Sequence, residues 1–570
     1  MQSSKFSKYY VSWLIVLILL GAFLVRFYFL NIDREIMPSD EAEYAVMIKS
    51  FEHGRILFQW PFYRPFLMQL IESILLKAGG GMGVLYGLSI SVSICSVFLV
   101  YCIGKDLWNA EVGIIAAFLC AFFPEEIVYS LSLLLNGVAL MWWLLAIYLF
   151  QRAYRTKKIG VLYLTGVVTG IAILVYTQNI VLSVFFLLFL LVTEGPSFLK
   201  KKRFLIFFLI QIGMYAMNFV YSYIWFGNPL KMVEYGLWLS LTDTSSRVYR
   251  EVIVHFLTYL PSYIGLLVIP FLGGIIILIV PAVKKVWVIS AGEKAQIVRK
   301  LPLMIGLGIF FYGAQYILGR IDSAGKQGAV LVYVGGLVVT IGMGICGIWI
   351  MRVFLEHFAR LIKKKESLKK EILLLLWFSV GLFGIAKMVG AFQPRYFLPV
   401  VIPLFFYIGR VVTHPWLQVK QRRVMYVVVY LLLVGGVIVN GMNTADLVAE
   451  SNHEWGVRSA AYWIKEHTNP SDRMIGSGNP SLAFYSERKL FRYPAAGLAG
   501  ERSYAGLVRV IMEQRPKFMV LYYGPGDIGE NKLYFDFLEK NKEEVSLEYR
   551  SKQEGIRTDI YRLKYNADFL

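Results

Sequence analysis

The stretch YVSWLIVLILLGAFLVRFYFL, from Tyr10 to Leu30, is an unbroken apolar run near the start of the chain. About 17 to 25 apolar residues in α-helical form cross the ~30 Å hydrocarbon core of a bilayer. Lys5 and Lys8 precede the run as basic residues precede a signal peptide, but the run is too long for one and lacks a small-residue cleavage site. We therefore predict a retained transmembrane helix.

Similar runs recur along the chain and together predict about thirteen transmembrane helices. Of the 570 residues 57% are hydrophobic and 17% charged, which is more apolar side chain than a water-soluble globule buries. The predicted helices cover residues 10–30, 83–104, 111–124, 130–150, 160–176, 179–194, 204–226, 256–282, 302–319, 329–351, 371–391, 396–413 and 424–442.

The net charge of +20 is unevenly distributed. Residues 445–570 hold 18 basic and 18 acidic side chains, so the excess lies in the hydrophobic part and indicates topology rather than a nucleic-acid partner. Basic residues collect in alternate loops, about 26 on one side against about 11 on the other, and the positive-inside rule makes the richer side cytoplasmic. The four cysteines lie in or beside apolar runs and indicate no disulfide framework.

This topology predicts a multi-pass protein of the plasma membrane with its C-terminal part outside the cell. We expect a transmembrane domain at 1–444, with a first outer loop at 31–82 and a candidate lid loop at 227–254. Amphipathic stretches from Glu43 to Phe51 and from Phe66 to Leu76 predict helices lying in the outer interface. Residues 445–570 alternate helix-like and strand-like pieces, which predicts a small extracytoplasmic α/β domain.

Ionisable side chains at a membrane boundary are costly and therefore point to function. Pro38-Ser39-Asp40-Glu41-Ala42-Glu43 lies just after the first helix. One interpretation is a capping box with Ser39 or Asp40 as N-cap. The other makes Asp40 a general base beside a membrane-embedded substrate, and the two are compatible because a cap fixes the carboxylate in place.

A second acidic motif, Pro124-Glu125-Glu126, follows the third predicted helix. Proline followed by acids is a common helix start. The alternative is a second carboxylate site, formed by Glu125, Glu126 or Glu41, that orients an acceptor or holds a divalent cation through oxygen ligands.

Arg395 and Tyr396 stand at the outer junction of two predicted helices, with Lys387 about two turns earlier. An arginine at a helix end often snorkels to the interface. Here two cations stand on the face expected to be poor in positive charge, which suits a lipid-linked phosphate. Arg64 adds another cation in the first outer loop.

These motifs resemble those of the GT-C membrane glycosyltransferases, in particular the branch of protein O-mannosyltransferases and the lipid A aminoarabinose transferase. Ser39-Asp40-Glu41, Pro124-Glu125-Glu126 and Arg395-Tyr396-Phe397-Leu398-Pro399 occupy the places of that family's motifs. The resemblance implies that Asp40 is the catalytic base and that Arg395 contacts the phosphate of a polyprenyl-phosphate sugar. It also implies a second phosphate contact at Arg64, where many relatives have lysine.

Two positions depart from the family's pattern. Tyr63 stands where some relatives have a metal-binding glutamate, which puts a metal site that includes His255 in doubt, and Asn136 stands where an aspartate is often present. We therefore name no certain cofactor, while a divalent metal stays open.

The sequence thus predicts an inverting glycosyltransferase, because one carboxylate and one displacement imply inversion. The expected partners are a polyprenyl-phosphate-linked sugar, membrane lipid and a hydroxyl-bearing acceptor on protein, lipid or glycan, at the outer face of the membrane. The main alternative is a transporter or flippase of lipid-linked sugars, and a non-catalytic receptor is a third. No Walker A or dinucleotide motif is present.

Overall fold

The computed structural model describes residues 3–36, 40–58, 64–232, 234, 252–256, 366–388, 393–413, 444–449, 456–476, 479–493, 503–523, 532–553 and 556–565. Three predicted helices, at 302–319, 329–351 and 424–442, lie outside these residues, as do residues 257–282 of the helix predicted at 256–282 and most of the candidate lid loop. The count of about thirteen helices and the lid therefore stay predictions.

Helices dominate the described residues up to Val412. They are α1 (Ser3–Phe29), α2 (Asp40–His53), α3 (Leu67–Lys77), α4 (Met82–Leu107), α5 (Ala110–Ala121), α6 (Pro124–Ser130), α7 (Leu135–Thr156), α8 (Ile159–Val175), α9 (Val181–Glu194), α10 (Lys202–Tyr215), α11 (Met217–Phe226), α12 (Glu366–Met388) and α13 (Leu398–Val412). Short 3₁₀ turns cover Thr177–Ile180, Pro196–Lys200 and Pro394–Phe397.

Four helical segments among the described residues are long and apolar enough to cross a membrane: Val11–Phe29, Met82–Leu107, Thr177–Glu194 and Lys202–Phe226. A fifth candidate joins α5 to α6 with a bend of 61°. Pro124 occupies the first turn of α6, where its missing N–H costs nothing, so the helix start predicted there is confirmed. The chain is a helical multi-pass membrane protein.

The chain divides into two compact units. The first comprises residues 1–183, 207–268 and 378–570, and the second comprises 184–206 and 269–377. In the second unit Lys201 Nζ lies 2.6 Å from Glu194 Oε2, which ties the two ends of the Pro196–Lys200 turn. Every functional residue discussed below belongs to the first unit.

The part of the C-terminal domain that the structure describes is a mixed α/β layer structure, as predicted. Its helices are α14 (Val457–His467), α15 (Pro480–Ser486), α16 (Tyr504–Gln514) and α17 (Lys532–Lys540). Its strands are β1 (Arg473–Gly476), β2 (Lys489–Arg492), β3 (Phe518–Tyr523), β4 (Val545–Gln553) and β5 (Ile556–Leu563). The sheet order is β2-β1-β3-β5-β4. Strand β1 pairs in parallel with β2 and β3, and strand β5 pairs in antiparallel fashion with β3 and β4.

Alternate residues of β3 enter two different cores because strand side chains alternate between faces. Met519 and Leu521 pack with α16 and α17. Phe518 and Val520 pack with α14 and α15 in a core that also contains residues of α2.

Helix α2 is buried on two faces. Ala42, Ala45 and Val46 are fully buried in the core that they share with the C-terminal domain. Tyr44 and Met47 belong to clusters formed with the surrounding membrane-part helices. The interfacial helix predicted from Glu43 to Phe51 is therefore held between two parts of the protein.

Polar contacts reinforce this junction. Buried Glu35 accepts hydrogen bonds from the backbone N–H groups of Gly456 at 2.9 Å and Arg458 at 2.6 Å, at the start of α14. A carboxylate is favourable there because a helix N-terminus carries partial positive charge. In addition, the Leu490 N–H donates to the Leu57 carbonyl at 2.9 Å, so strand β2 is bonded directly to the segment after α2.

The shared core predicts that a cavity made in α2 destabilises the C-terminal domain. Ile48 is fully buried in that core, and Ile48→Ala should cost about 2–5 kcal/mol. We expect a lower melting temperature and faster hydrogen–deuterium exchange in α14 and α15. The exposed residue Glu466, in α14, provides the control Glu466→Ala. Unchanged exchange in α14 and α15 would contradict the shared core.

A buried carboxyl in α3 gives a second prediction. Glu72 is 3% exposed, its Oε2 has no hydrogen-bond partner among the described residues, and burial raises its pKa to about 8. From the usual pKa of 4.5 up to 8, the folded protein holds a proton that the unfolded chain loses, so stability falls by about 1.4 kcal/mol per pH unit as pH rises. Glu72→Gln removes this pH-dependent loss of stability and should raise the melting temperature more at pH 8 than at pH 5. An equal change in melting temperature at both pH values would contradict the raised pKa of Glu72. Glu111→Gln is the control at an exposed position.

Candidate functional site

Three segments of the first unit meet at Asp40. Asp40 is the first residue of α2, Arg64 lies shortly before α3, and Arg395 belongs to the Pro394–Phe397 turn that leads into α13. The fold therefore brings together Asp40, Arg64 and Arg395, which the sequence analysis predicts to serve one site.

Two guanidinium groups hold the Asp40 carboxylate, one on each oxygen. Arg64 Nη2 donates to Oδ1 at 2.8 Å, and Arg395 Nη2 donates to Oδ2. The Asp40 side chain remains 21% exposed and that of Arg395 11% exposed. The pair is thus sheltered but open to a ligand.

Glu43 and Tyr44 complete the cluster on the first turn of α2. Arg64 Nη2 lies 2.5 Å from Glu43 Oε2, and Arg64 Nη1 donates to the Tyr44 hydroxyl at 3.4 Å. With Asp40 and Arg395, the cluster contains two acids and two arginines, and its formal charge is zero.

The charges around Asp40 set its protonation state. Burial alone would raise the pKa of this carboxyl, but the positive charges of Arg64 and Arg395 hold it below its usual value. Asp40 is therefore a carboxylate at neutral pH, as a general base must be. Burial raises the pKa of Tyr44 to about 12, so this hydroxyl stays protonated and can donate a hydrogen bond.

Glu41 is buried and engaged elsewhere. It is paired with Arg34, whose Nη1 donates to Oε2 at 3.0 Å, and it accepts the Leu133 N–H at 2.9 Å. Because breaking a buried pair is strongly destabilising, Glu41 holds the start of α2 against the segment between α6 and α7.

Glu126 is likewise paired, with the fully buried Arg26 of α1. Arg26 also donates to Ser93 Oγ at 2.6 Å and to the Ala121 carbonyl at 3.0 Å. Glu125 is half-buried, and among the described residues its Oε2 has no hydrogen-bond partner and no bond joins it to Asp40. Its helix, α6, nevertheless packs against the turn that carries Arg395.

The other predicted residues have varied positions. The Arg395 guanidinium lies over the Tyr396 ring, 5.1 Å from its centroid. The backbone of Lys387 lies in α12, but its side chain is outside the described residues, as is Tyr63. His255 is exposed, and no group of three or more His, Cys, Asp or Glu side chains suited to a metal ion occurs in the described part of the chain.

Several residues of this neighbourhood were not singled out as site residues from the sequence. Glu43 is explained equally well by helix capping, and Tyr44 has no local signature. Arg26 pairs with Glu126, 100 positions away, and Arg34 pairs with Glu41, 7 positions away. Only the second pair is close enough in sequence for a local pattern to indicate it. Asn136 donates to the Arg395 carbonyl at 3.4 Å and to the Tyr176 hydroxyl at 3.5 Å, which places Tyr176 beside the site.

Residues 60–221 match the family described as dolichyl-phosphate-mannose-protein mannosyltransferase. This match covers less than a third of the chain and includes Arg64 but neither Asp40 nor Arg395. No curated protein matches the chain at a significant level of similarity.

Solved structures resemble the chain over most of its length. ArnT from Cupriavidus metallidurans bound to undecaprenyl phosphate is 13% identical, with a TM-score of 0.56 over 97% of this chain and 98% of that one. The apo form of that protein is 12% identical, with a TM-score of 0.57 over 96% and 97% of the two chains. At this identity the likeness shows the fold alone.

The archaeal oligosaccharyltransferase AglB from Archaeoglobus fulgidus, in complex with an inhibitory peptide and a dolichol-phosphate, is 14% identical over 90% of this chain and 70% of that one. Its TM-score of 0.49 is too low to support a conclusion.

The fold resembles that of ArnT over nearly the whole of both chains, so the resemblance predicted from the sequence is confirmed. The predicted enzyme class, a glycosyltransferase dependent on a polyprenyl-phosphate sugar, agrees with the description of the family that residues 60–221 match.

Proposed function

We propose that the protein transfers a sugar, with inversion, from a polyprenyl-phosphate donor to a hydroxyl group at the outer face of the plasma membrane. The acceptor is a hydroxyl-bearing protein, lipid or glycan. The observation that carries this proposal is the Asp40 carboxylate held between Arg64 and Arg395.

The two arginines are suited to the donor's phosphate. Guanidinium binds carboxylate and phosphate with the same paired hydrogen bonds, so a phosphate competes with Asp40 for Arg395 and Arg64. As the arginines turn to the phosphate, Asp40 loses part of its charge stabilisation and becomes a stronger base. Donor binding thereby prepares the base for the acceptor.

The reaction then needs one displacement. Asp40 takes the proton of the acceptor hydroxyl while that oxygen attacks C1 of the sugar, and the bond from C1 to the phosphate oxygen breaks. The phosphate leaves with the bonding electrons, and Arg395 with Arg64 stabilises the charge that it gains. Attack from the face opposite the phosphate inverts C1.

The C-terminal domain lies against the helix that carries the base. We propose that it lies outside the cell and contributes to acceptor binding. Its support is the shared core with α2 and the contact of Glu35 with the start of α14.

Replacing the base tests the reaction directly. Asp40→Asn should lower transfer of radiolabelled sugar from a polyprenyl phosphate by about 10²–10⁴-fold in purified protein, because general-base catalysis contributes on that scale. Donor binding should remain. The control Asp106→Asn removes an acid paired with Arg155 at 3.2 Å outside the cluster. Full activity of Asp40→Asn would show that Asp40 is not the general base. Movement of the donor across vesicle membranes without a covalent product would favour a transporter.

The arginine contacts predict a shift in pH dependence. With Arg64→Gln one of the two charges that lower the pKa of Asp40 is lost, so that pKa rises. The acid limb of the pH profile of kcat/KM should move up by about one pH unit, since a nearby opposite charge lowers a carboxyl pKa on that scale. Arg155→Gln is the matched control, since Arg155 pairs with an acid outside the cluster. An unmoved acid limb would show that Asp40 is not the titrating group.

A further inference from the structure

A small cavity adjoins Arg395. Its lining includes Asn136, Trp143, Tyr176, Gln178 and Arg395. Its volume is about 10 Å³, which suits a single water-sized group. The cavity belongs to the same unit of the chain as Asp40.

Three polar atoms of the lining residues have no hydrogen-bond partner within the described part of the chain. They are Trp143 Nε1, Gln178 Oε1 and Arg395 Nε. Trp143 is 1% exposed, so water outside the protein does not satisfy its N–H. Buried polar groups are nearly always hydrogen-bonded, which makes three such atoms on residues that line one cavity a sign of a polar ligand.

The three atoms match the bonding capacity of a hydroxyl group. Trp143 Nε1–H and Arg395 Nε–H are donors, and Gln178 Oε1 is an acceptor. A hydroxyl oxygen accepts two hydrogen bonds and its hydrogen donates one. One hydroxyl therefore has the bonding capacity that the three atoms together require.

The charge of the lining selects against a cationic group. Among the described residues that line the cavity, Arg395 is the single charged residue and none carries a carboxylate. An ammonium group cannot accept a hydrogen bond from Trp143 or Arg395, and the positive charge of Arg395 repels it. The chemistry thus favours a neutral hydroxyl.

The position relates this hydroxyl to the donor. Arg395 Nη2 contacts Asp40, Nε of the same planar guanidinium has no hydrogen-bond partner within the described part of the chain, and Arg395 lines the cavity. A phosphate bound through the outer nitrogens of Arg395 and a hydroxyl bound to its Nε lie side by side, as the phosphate and a sugar hydroxyl do in one glycosyl phosphate.

We propose that this cavity binds one hydroxyl of a neutral sugar on the polyprenyl-phosphate donor and so selects the sugar. This inference rests on the proposed function. Trp143 and Gln178 are then specificity-determining residues, and a donor whose corresponding position carries an amino group is disfavoured.

The test uses full-length protein and farnesyl phosphates of mannose, glucose and galactose. The best-used sugar is then compared with its monodeoxy analogues and its amino-deoxy analogues, by kcat/KM and by donor Kd. We expect one monodeoxy analogue, and the amino analogue at the same position, to lose about 10–100-fold with the wild type, as expected when a site built for a hydroxyl receives an analogue without it. In Trp143→Phe combined with Gln178→Leu, that loss should shrink to about threefold or less.

Two controls keep the comparison specific. Gln151→Leu removes a buried glutamine farther along α7 whose Oε1 also lacks a partner, and Trp108→Phe removes a tryptophan at the end of α4. Both should retain the wild-type discrimination. If the cavity serves a structural water only, the double variant lowers activity with every donor equally, and the proposal is overturned.

Failure of the proposed function is distinguishable from failure of this inference. If the wild type transfers no sugar from any donor, the reaction is wrong, but the Kd ratio between farnesyl phosphate sugar and its deoxy analogues still reports on the cavity. A ratio near one for every analogue with the wild type overturns the hydroxyl site even where transfer occurs.

Discussion

The burial of α2 between two cores is the constraint on which the rest of the structure depends. Its alanine-rich face packs into the C-terminal domain, and its Tyr44 and Met47 face packs among the membrane-part helices. Asp40 is the first residue of this helix. The position of the carboxylate is therefore set jointly by both parts of the protein.

Four arginines pair with acids of α2 and α6, and they are of two kinds according to what surrounds them. Arg26 and Arg34 are almost fully buried, and each already has a carboxylate and backbone carbonyls as partners. Such pairs fix segments, because separating them leaves a charge without compensation. Arg64 and Arg395 remain partly exposed around a shared carboxylate. An incoming anion can replace that carboxylate, so these two arginines are suited to binding a ligand.

Much of the architecture could be predicted from the sequence because it depends on local patterns. The alternation of helix-like and strand-like pieces predicted for residues 445–570 is found there, for example in α16 and β3, since apolar periodicity is strong in both. Strands β2 and β4 have no such pattern: KLFR is four residues long, and VSLEYRSKQ is a polar edge strand. Arg26 with Glu126 escaped prediction for another reason, since 100 residues separate them and only the fold brings them together.

One of the two departures from the family pattern, Asn136, has a physical explanation in the structure. Asn136 stands where the resemblance leads one to expect aspartate, and its amide nitrogen donates to the Arg395 carbonyl at 3.4 Å. An aspartate carboxylate could only accept, so it would repel that carbonyl and add a negative charge to the cavity beside Arg395. The amide instead holds the arginine's main chain and keeps the cavity free of negative charge. The same substitution that weakens the analogy to relatives thus strengthens the case that this protein takes a neutral sugar.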